Sequence, residues 1–346
     1  MIIDANMYWM PKNLFTDRSL LEKFIRTSCE YGVYAYEQNI SETGKRQIVI
    51  EKPKGYQNLN YVENQYEMET QLQDMDEAGI DKAVLKIPGC QEWMSLELCK
   101  KFNDGMAEHV RLGKGRFNAL AVVPPWGTQE CIYELERCVY ELGMTGVQLS
   151  AHYGDQYLDN EAFKPFFKKL NELELPAYIH HTPVPVQHNF VYDYNNLRRS
   201  YGRCADQAIA VGREIFSGMF EEFPHIKFIH SMLGGAFFSF MNLMFPQKAK
   251  KNEEVDRFKV DTEKMRGYLK NNIFFEMSHA EPWGDLQLEC AIKILGADHV
   301  IFGTSYPVRR QWMLTGPDFI KNLAISEKEK DLILGENAKD IYKLDK

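Results

Sequence analysis

The sequence has few of the features that identify disulfide-rich, zinc-finger, secreted or membrane proteins. Its 346 residues contain seven cysteines, none of which forms a C-x-x-C pair, and this argues against a structural zinc knuckle and a disulfide framework. No apolar run approaches the roughly 20 residues that span a bilayer. The first residues, MIIDANMYWM, lack the basic region and the unbroken apolar core of a signal peptide. We therefore expect a protein of a reducing compartment, the cytoplasm, with no membrane partner.

The charge pattern argues against a nucleic-acid-binding protein. The chain has 41 basic and 49 acidic side chains, a formal net charge of −8, and its lysines and arginines are not clustered. A nucleic-acid-binding surface needs such a cluster. The nucleotide-binding patterns G-x-G-x-x-G and G-x-x-x-x-G-K-[ST] are also missing. The expected partner is therefore a small-molecule substrate.

Short apolar runs alternate with longer amphipathic stretches along the chain. The amphipathic stretches, such as YEMETQLQDMDEAG, carry apolar residues at spacings of three and four, as helices do. This alternation predicts βαβ units around a parallel sheet, and eight repeats favour a closed (β/α)8 TIM-type barrel. The predicted strands are residues 1–5, 82–89, 117–126, 146–153, 176–183, 226–235, 272–278 and 299–307.

The chain is expected to form one domain, residues 1–346, with a long insertion after the first strand. The insertion, residues 12–65, is rich in Tyr, Asn, Lys and Glu. Loops of this length inside a compact domain are usually lids or accessory subdomains. A second excursion, residues 183–203, follows the fifth strand and carries three arginines. We interpret residues 12–65 as a lid within the barrel domain.

The active site of such a barrel lies at the carboxyl ends of its strands. Because side chains alternate along a strand, the inward-facing set of the first strand is Asp4, Asn6 and Tyr8, or else the complementary set. On the fifth strand, His181 is expected to point away from His180. The other strand-end candidates are His152 on the fourth strand, His230 on the same inward face as Met232 on the sixth, Glu276 and Ser278 on the seventh, and Ser305 on the eighth.

Six segments, spread in order along the chain, share the pattern of one enzyme family. The segments are QLQDMDEAGIDKAVL, NDGMAEHVRLGKGRFNALAVVPP, TGVQLSAH, LPAYIHHTP, IFSGMFEEFPHIKFIHSMLGGA and LGADHVIFGTSYP. They resemble the amidohydrolase superfamily, in the branch of aminocarboxymuconate semialdehyde decarboxylase and the γ-resorcylate type of decarboxylase. The resemblance implies a (β/α)8 barrel, a homodimer, and a decarboxylase acting on a small acid.

The resemblance also implies a metal site, but most of its positions carry other residue types here. Members of this branch typically bind one divalent metal through a His-x-His or Glu-x-His pair, a histidine and an aspartate at the ends of strands one, five and eight. The matching residues are Asn6, Tyr8, His180 and Ser305, and Met232 stands where the family has a catalytic histidine. A catalytic zinc ion needs about three His, carboxylate or thiolate ligands. We therefore predict no metal at this position and no other cofactor.

Three residues are the catalytic candidates: His180, Glu276 and His152. With no metal to bind, His180 is available as a general acid or base near neutral pH. Glu276 ends an aliphatic strand, where a carboxylate is rare unless paired, and burial there raises its pKa towards the range of proton transfer. A structural pairing with an arginine is the alternative for Glu276. His152 stands on the neighbouring strand and serves either catalysis or a polar lining.

The remaining candidates concern substrate binding. Arg309 and Arg310 follow the eighth strand and are placed to bind a carboxylate, although a salt bridge to a neighbouring helix explains them equally well. Aromatic residues at the mouth suit a planar ligand. The expected substrate-binding residues are Asn6, Tyr8, His230, Met232, His279, Trp283, Ser305, Tyr306 and Arg309.

Three functions fit these residues. The first is a metal-independent enzyme that decarboxylates, or cleaves a C–C or C–O bond in, a small cyclic or aromatic carboxylic acid or carbonyl compound by His/Glu acid–base catalysis. Its oxyanion would be stabilised by imidazolium from His180 or His152, or by Asn6, Tyr8 and Ser305. The second is a catalytically inactive barrel that binds a ligand or joins a complex. The third is a metalloenzyme with a rearranged ligand set, His152, His180, His230 and Glu276.

Overall fold

The computed structural model describes residues 1–182, 185–187, 189–246 and 261–344. Its strands are β1 Ile3–Tyr8, β2 Tyr34–Asn39, β3 Arg46–Glu51, β4 Gln57–Val62, β5 Lys82–Lys86, β6 Phe117–Val122, β7 Gly146–Ser150, β8 His152–Tyr153, β9 Gln156–Tyr157, β10 Ala177–His180, β11 Phe228–His230, β12 Ile273–Glu276 and β13 Val300–Ile301. Its α-helices are α1 Arg18–Glu30, α2 Met68–Ala78, α3 Leu96–Leu112, α4 Gln129–Tyr140, α5 Lys164–Leu173, α6 Arg203–Phe216, α7 Met219–Glu222, α8 Met232–Ala236, α9 Met241–Met244, α10 Thr262–Asn272, α11 Asp285–Leu295, α12 Arg310–Lys321, α13 Glu327–Asp331 and α14 Asn337–Ile341.

Eight parallel strands form the barrel, in the order β1, β5, β6, β7, β10, β11, β12 and β13. The barrel closes because the N–H of Ala5 donates to the carbonyl oxygen of Phe302 over 3.1 Å, and the N–H of Tyr8 to that of Tyr306 over 2.7 Å. These bonds join β1 to the segment that follows β13. Helices lie between successive barrel strands in chain order, which confirms the predicted (β/α)8 barrel.

Local sequence fixes where several helices begin and end. Ser95 accepts a hydrogen bond from the N–H of Leu98 at the start of α3, and Thr128 accepts one from Cys131 at the start of α4. Such N-cap side chains satisfy N–H groups that have no partner within the helix. The helix α2 ends at Gly79, which adopts the left-handed φ of 68° that glycine allows. Caps and apolar spacing therefore specify the helices together.

The amino-terminal half of the barrel interior is apolar, which leaves the carboxyl-terminal mouth to polar side chains. The end of the chain closes the amino-terminal side, where Lys82 at the start of β5 donates to the carbonyl oxygen of Leu344 over 3.1 Å. The fully buried interior residues from the strands are Ile3, Ala5, Val84, Leu120, Tyr178, Ile229 and Ile301.

The insertion folds as α1 followed by a three-stranded antiparallel sheet of β2, β3 and β4. Its strand β4 lies against the barrel mouth, where the Tyr61 hydroxyl donates to the carbonyl oxygen of Pro88 over 2.7 Å. A Cβ on Gly89 would meet Leu59 at 3.0 Å and the His180 ring at 3.4 Å, so β4 passes close to both. The insertion therefore covers the mouth near His180, and its function as a lid stays a prediction.

Two features of the described residues concern membrane-spanning helices and cysteine pairing. None of their helices combines the length and the apolar character required to cross a membrane. All seven cysteines lie in the described ranges and are free thiols.

Replacing Gly303 by alanine is expected to destabilise the fold. Gly303 follows β13, and a Cβ there would lie 2.1 Å from Glu276 Oε1 and 2.6 Å from Asn6 Cβ. Since both neighbours are buried, we expect the variant to lose about 1–3 kcal/mol of unfolding free energy in urea denaturation. The control Gly267→Ala, within α10 and with nothing inside 4 Å, is expected to gain about 0.5–1 kcal/mol. Equal stabilities of the two variants would contradict this packing.

Candidate active site

A β-bulge in β1 decides which side chains reach the barrel mouth. The register of β1 against β5 shifts between Asp4 and Met7. Ala5 packs in the apolar interior, whereas Asn6 and Tyr8 bond to residues at the ends of other strands. Neither the set of Asp4, Asn6 and Tyr8 nor its complement therefore forms the inward face, and that prediction is wrong. Simple alternation does not continue through a bulge.

Tyr8 and His180 form a hydrogen-bonded pair at the mouth, with 2.9 Å between Oη and Nε2. The other ring nitrogen of His180, Nδ1, lies 2.6 Å from the carbonyl oxygen of His181. Because a carbonyl oxygen only accepts, Nδ1 carries the proton, and Nε2 accepts from the Tyr8 hydroxyl. Burial, with smaller contributions from the charges of Lys86 and Arg203, lowers the pKa of His180 to about 3, although the hydrogen bond with His181 acts in the opposite direction.

His180 is therefore a neutral imidazole whose nitrogen lone pair, on Nε2, accepts the hydrogen bond from the Tyr8 hydroxyl at the mouth. The expectation that it stabilises an oxyanion as an imidazolium is wrong for the site without a ligand, because burial disfavours the charged ring. Burial also raises the pKa of Tyr8, so its phenol stays protonated at neutral pH. The pair thus offers one base and one proton that is already hydrogen-bonded to it.

The side chain of Asn6 lies between Glu276 and Ser305, and its orientation follows from their chemistry. Its Nδ2 is 3.0 Å from Glu276 Oε2 and 3.1 Å from Ser305 Oγ. The Ser305 hydroxyl donates to the carbonyl oxygen of Ser278 over 2.8 Å, so it accepts from Asn6. Both amide hydrogens are used, and the amide oxygen Oδ1 is buried without a partner. This acceptor is available to a donor on a ligand.

Glu276 ends β12 with a fully buried carboxylate. The Tyr178 hydroxyl donates to its Oε2 over 2.7 Å, and the N–H of Ser278 donates to its Oε1. Burial raises the pKa of Glu276 to about 6, while the charge of Lys86 acts in the opposite direction. The pKa of Glu276 is thus raised as predicted, and the cation that acts on it is a lysine rather than an arginine.

Two residues of the site, Lys86 and Tyr178, are missing from the sequence-based candidates. Lys86 ends β5, and its ammonium group donates to the carbonyl oxygen of Ala5 over 2.8 Å and lies 3.0 Å from the centre of the Tyr178 ring. Burial lowers the pKa of Lys86 to about 7, and the charges of Glu276 and Asp4 oppose this. The signal was present in the sequence, because a lysine at the end of the apolar run KAVLK has no packing reason to be there.

Three histidines of the site, His180, His181 and His279, take part in ring stacking. The rings of His180 and His181 stack with their centres 4.2 Å apart, so the prediction that they point in opposite directions is wrong. Strand β10 ends at His180, and the alternation ends with it. His279 stacks on Trp312 at 4.2 Å, and its Nδ1 is buried without a partner. Burial, with a smaller contribution from the charge of Arg203, lowers the pKa of His279 to about 4.

His152 lies in a neighbouring polar cluster. Its Nδ1 is 2.7 Å from the carbonyl oxygen of Gly154, and its Nε2 is 2.8 Å from Thr182 Oγ1. The Thr182 hydroxyl is also 2.8 Å from Oδ2 of Asp206 on α6. These contacts associate His152 with Asp206 rather than with the Asn6 amide, so a direct catalytic role for His152 stays a prediction.

His230 faces the helix layer outside the barrel wall. Its Nε2 is 2.7 Å from Glu214 Oε2 and its Nδ1 is 2.9 Å from Gln207 Oε1, both on α6. The prediction that His230 shares the inward face of Met232 is wrong, because β11 ends at His230 and the following residues turn with positive φ angles. This placement does not support a substrate-binding role for His230.

Two other candidates pack against α2. The Tyr306 hydroxyl donates to Asp74 Oδ2 over 2.7 Å, which directs this ring to the helix rather than to the mouth. Arg310 donates to Asp74 Oδ1 over 2.9 Å and also pairs with Glu77. The helix salt bridge considered for Arg310 is therefore formed.

The last candidates lie at the edge of the site. The backbone N–H of Met232 donates to Ser278 Oγ over 3.0 Å, and the Trp283 indole donates to the carbonyl oxygen of Met277 over 2.9 Å. Arg309 is exposed, and its guanidinium lies 5.4 Å from the centre of the Trp312 ring. A substrate-binding role for these residues stays a prediction.

The side chains at the mouth do not fit a divalent metal. Within the described ranges, no group of three or more His, Cys, Asp and Glu side chains is arranged to hold one. His180 is the single imidazole among the family's ligand positions, and its Nε2 already accepts from Tyr8. The other positions supply a protonated phenol, an amide and a hydroxyl, where a catalytic zinc ion needs about three imidazole or anionic ligands. The alternative set of His152, His180, Glu276 and His230 does not converge either, since His230 faces α6.

Replacing Lys86 by methionine is expected to raise the pKa of Glu276 above about 6, because the lysine charge is the largest of the contributions that lower it. The pKa is read from the pH dependence of the carboxyl infrared band, taken as the difference from the Glu276→Gln variant. The control Lys82→Met removes a lysine from the opposite end of β5, where it bonds to Leu344. An unchanged or lower midpoint in Lys86→Met would show that the two groups are not coupled.

Known proteins share both the sequence pattern and the fold. The Amidohydro_2 family model, described as amidohydrolase, matches residues 56–344. A γ-resorcylate decarboxylase of Polaromonas sp. is 27% identical over 296 residues, covering 79% of this chain and 86% of that protein. A 2-amino-3-carboxymuconate-6-semialdehyde decarboxylase of Dictyostelium discoideum is 25% identical over 300 residues, covering 82% of this chain and 78% of that protein.

Solved structures agree on the architecture. A 5-carboxyvanillate decarboxylase from Novosphingobium aromaticivorans, complexed with manganese and 4-hydroxy-3-methoxy-5-nitrobenzoic acid, has a TM-score of 0.75 and 21% identity, covering 99% of this chain and 96% of that chain. This likeness shows a shared fold. The sequence match over residues 56–344 goes further and confirms the resemblance seen in the six segments. The chain belongs to the Amidohydro_2 family of amidohydrolases.

Proposed function

We propose that this protein decarboxylates a small aromatic carboxylic acid, and that it does so without a divalent metal at the barrel mouth. The observation that carries the proposal is the bond of 2.9 Å between Tyr8 Oη and the unprotonated Nε2 of His180. The relatives support the reaction class, since they are decarboxylases of γ-resorcylate and of aminocarboxymuconate semialdehyde. The convergence of Asn6, Glu276 and Ser305 around this pair supports an enzyme over an inactive barrel.

Loss of CO2 from an aromatic ring needs a place for the electron pair of the breaking bond. Protonation of the ring carbon that bears the carboxylate provides it, because the pair then restores the aromatic ring as CO2 leaves. A ring hydroxyl in conjugation with that carbon supplies the electrons for its protonation when the hydroxyl loses its own proton. The protein must therefore move one proton from a hydroxyl to a carbon, which is general acid–base catalysis.

The pair of Tyr8 and His180 has the geometry for this transfer. The substrate hydroxyl gives its proton to Tyr8 as the Tyr8 proton passes to Nε2 of His180. The ring carbon then takes a proton from Tyr8, which recovers its own from His180, and a carbonyl forms at the former hydroxyl. The C–C bond breaks, CO2 leaves, and its electron pair returns the product as a phenoxide that takes a proton from water.

An anionic substrate favours this cycle. The low pKa of His180 describes the mouth without a ligand and arises mainly from burial. A carboxylate beside the ring stabilises the transient imidazolium, since an opposite charge within about 4–6 Å favours the charged form. The substrate thus activates the base that deprotonates it.

Glu276 acts in this scheme by positioning. Its carboxylate is fully buried and holds Asn6 with the amide oxygen unpartnered. That oxygen accepts from a donor group on the substrate and so fixes the orientation of the ring. The donor for the developing oxyanion is then Tyr8 rather than a permanent imidazolium, because the Ser305 hydroxyl donates to the carbonyl oxygen of Ser278.

The cellular setting is proposed with the activity. Seven free thiols suit a reducing compartment such as the cytoplasm, and family resemblance suggests a homodimer. Size-exclusion chromatography with light scattering measures the oligomeric state directly.

The activity is tested by screening aromatic carboxylates, including hydroxybenzoates, for CO2 release with chelator-treated protein. We expect turnover to survive chelation and to fall by about 10²–10⁴-fold in kcat for Tyr8→Phe and His180→Asn, since each removes the proton pathway. The control His225→Asn changes an exposed histidine and is expected to leave kcat unchanged.

Three results would contradict the proposal. Activity that chelation abolishes and manganese restores would assign the reaction to a metal. Activity at the wild-type rate in His180→Asn would remove the central residue. Binding of an aromatic acid with no turnover of any compound would favour the ligand-binding barrel instead.

A further inference from the structure

Arg203 is a cation at the barrel mouth for which the chain provides no anion among the residues described. It is the first residue of α6, and its Nη2 donates to Asn58 Oδ1 over 2.6 Å. Its Nε is buried and has no hydrogen-bond partner. Burial lowers the pKa of Arg203 to about 10, so the guanidinium remains charged at neutral pH. Arg203 is half-buried, and an arginine withdrawn from water is normally paired with an acid.

The charge of Arg203 acts on the groups that define the site. Burial is the main cause of the low pKa values of His180, His181 and His279, and the charge of Arg203 lowers these values as well. The same charge lowers the pKa of Tyr8. The geometry agrees, because Asn58, which binds Arg203, precedes Leu59, and the Leu59 side chain and the His180 ring both lie against Gly89. The three rings are held neutral by burial, and they supply no counter-charge to Arg203.

The carboxylate at the mouth cannot serve as the missing partner. Glu276 is already bonded to Asn6, Tyr178 and Ser278. The cation that acts most strongly on its pKa is Lys86. The mouth therefore combines an unpaired guanidinium with neutral aromatic rings, which is the composition of a site for a planar anion.

We propose that Arg203 binds the carboxylate of the substrate and that Asn58 of the insertion holds it in position. The inference rests on the proposed function and extends it by naming the residue that selects for an acid. Nε–H is buried without a partner and is therefore a donor available to the carboxylate, and charge-assisted bonds of this kind are stronger than neutral ones. The sequence-based choice for this role, Arg309, is exposed and lies over Trp312.

The same contact makes the insertion part of substrate recognition. Asn58 belongs to β4, and the preceding residue, Gln57, accepts through its carbonyl oxygen from Arg198 over 2.8 Å. Two arginines of the segment after β10, Arg198 and Arg203, thus hold β4 against the mouth by hydrogen bonds. A carboxylate bound to Arg203 lies directly beneath this strand.

The proposal is tested by isothermal titration calorimetry with two probes that share the same phenol ring. They are salicylate, which carries a carboxylate, and salicylamide, its uncharged amide analogue. We expect the wild-type protein to bind salicylate more tightly than salicylamide. Arg203→Gln is expected to weaken salicylate binding by about 10- to 100-fold, as for loss of a charge-assisted bond, and to change salicylamide binding by less than about threefold. Arg203→Lys keeps the charge but not the planar fork, and is expected to recover part of the preference.

Matched controls separate recognition from folding. Arg199→Gln removes an exposed arginine from the same segment, and Arg309→Gln tests the other candidate; both are expected to keep the wild-type preference for salicylate. Asn58→Ala should weaken salicylate binding by a smaller factor than Arg203→Gln. A wild-type protein without a preference for salicylate, or an Arg203→Gln variant that keeps it, would overturn the proposal. The binding measurement does not depend on turnover. If the protein released no CO2 but still preferred salicylate in a way that depends on Arg203, the proposed reaction would be contradicted and the assignment of Arg203 would be supported.

Discussion

The buried carboxylate of Glu276 determines how the barrel mouth is arranged. A carboxylate removed from water must have its oxygens hydrogen-bonded, and here the donors come from Asn6, Tyr178 and Ser278. One side chain thus ties together β1, β10 and the segment after β12. Because Asn6 must turn its amide hydrogens towards the carboxylate, its oxygen is left for a ligand. The backbone follows as well, since only a glycine at position 303 leaves room for Oε1.

The positive charges of this site belong to two side chains, Lys86 and Arg203. The 5-carboxyvanillate decarboxylase structure contains manganese, whereas the family's ligand positions here present groups that are mostly uncharged. Lys86 lies beneath the mouth next to Tyr178, and Arg203 lies beside it. The pKa of Lys86 is about 7, so its charge varies near neutral pH, while the charge of Arg203 does not. Lys86 is thus the cation that acts on Glu276, whereas the constant charge of Arg203 is available to a bound anion.

The sequence was sufficient for the barrel and for most of the residues that meet at its mouth. Alternating apolar runs and amphipathic stretches predicted the fold, and strand ends predicted that Asn6, Tyr8, His180, Glu276 and Ser305 come together. Short strands caused the errors: β10 and β11 end at His180 and His230, so the rule of alternation has too few residues to act on. The bulge in β1 is a property of the folded pair of strands.

The sequence did not reveal contacts between residues that lie far apart in the chain. Arg203 stands at the start of a helix, and its partner Asn58 is 145 residues away in the insertion. Neither residue has a strand-end position, and neither belongs to a motif with fixed spacing. Their contact depends on how the insertion lies on the barrel, which local patterns do not encode. Lys86 is different, because an unpaired lysine in an apolar strand is visible in the sequence itself.

The hydrogen bonds of Asn6 also limit how a metal site could be introduced at the mouth. A site of the family's type needs an aspartate at position 305, yet the Ser305 hydroxyl and the Glu276 carboxylate share the hydrogens of one amide. A second carboxylate there would stand next to the first and repel it. Replacing Asn6 by histidine at the same time would leave Glu276 without one of its donors. A metal site of the family's type would therefore need several of these positions to change together, because Glu276 depends on the Asn6 amide.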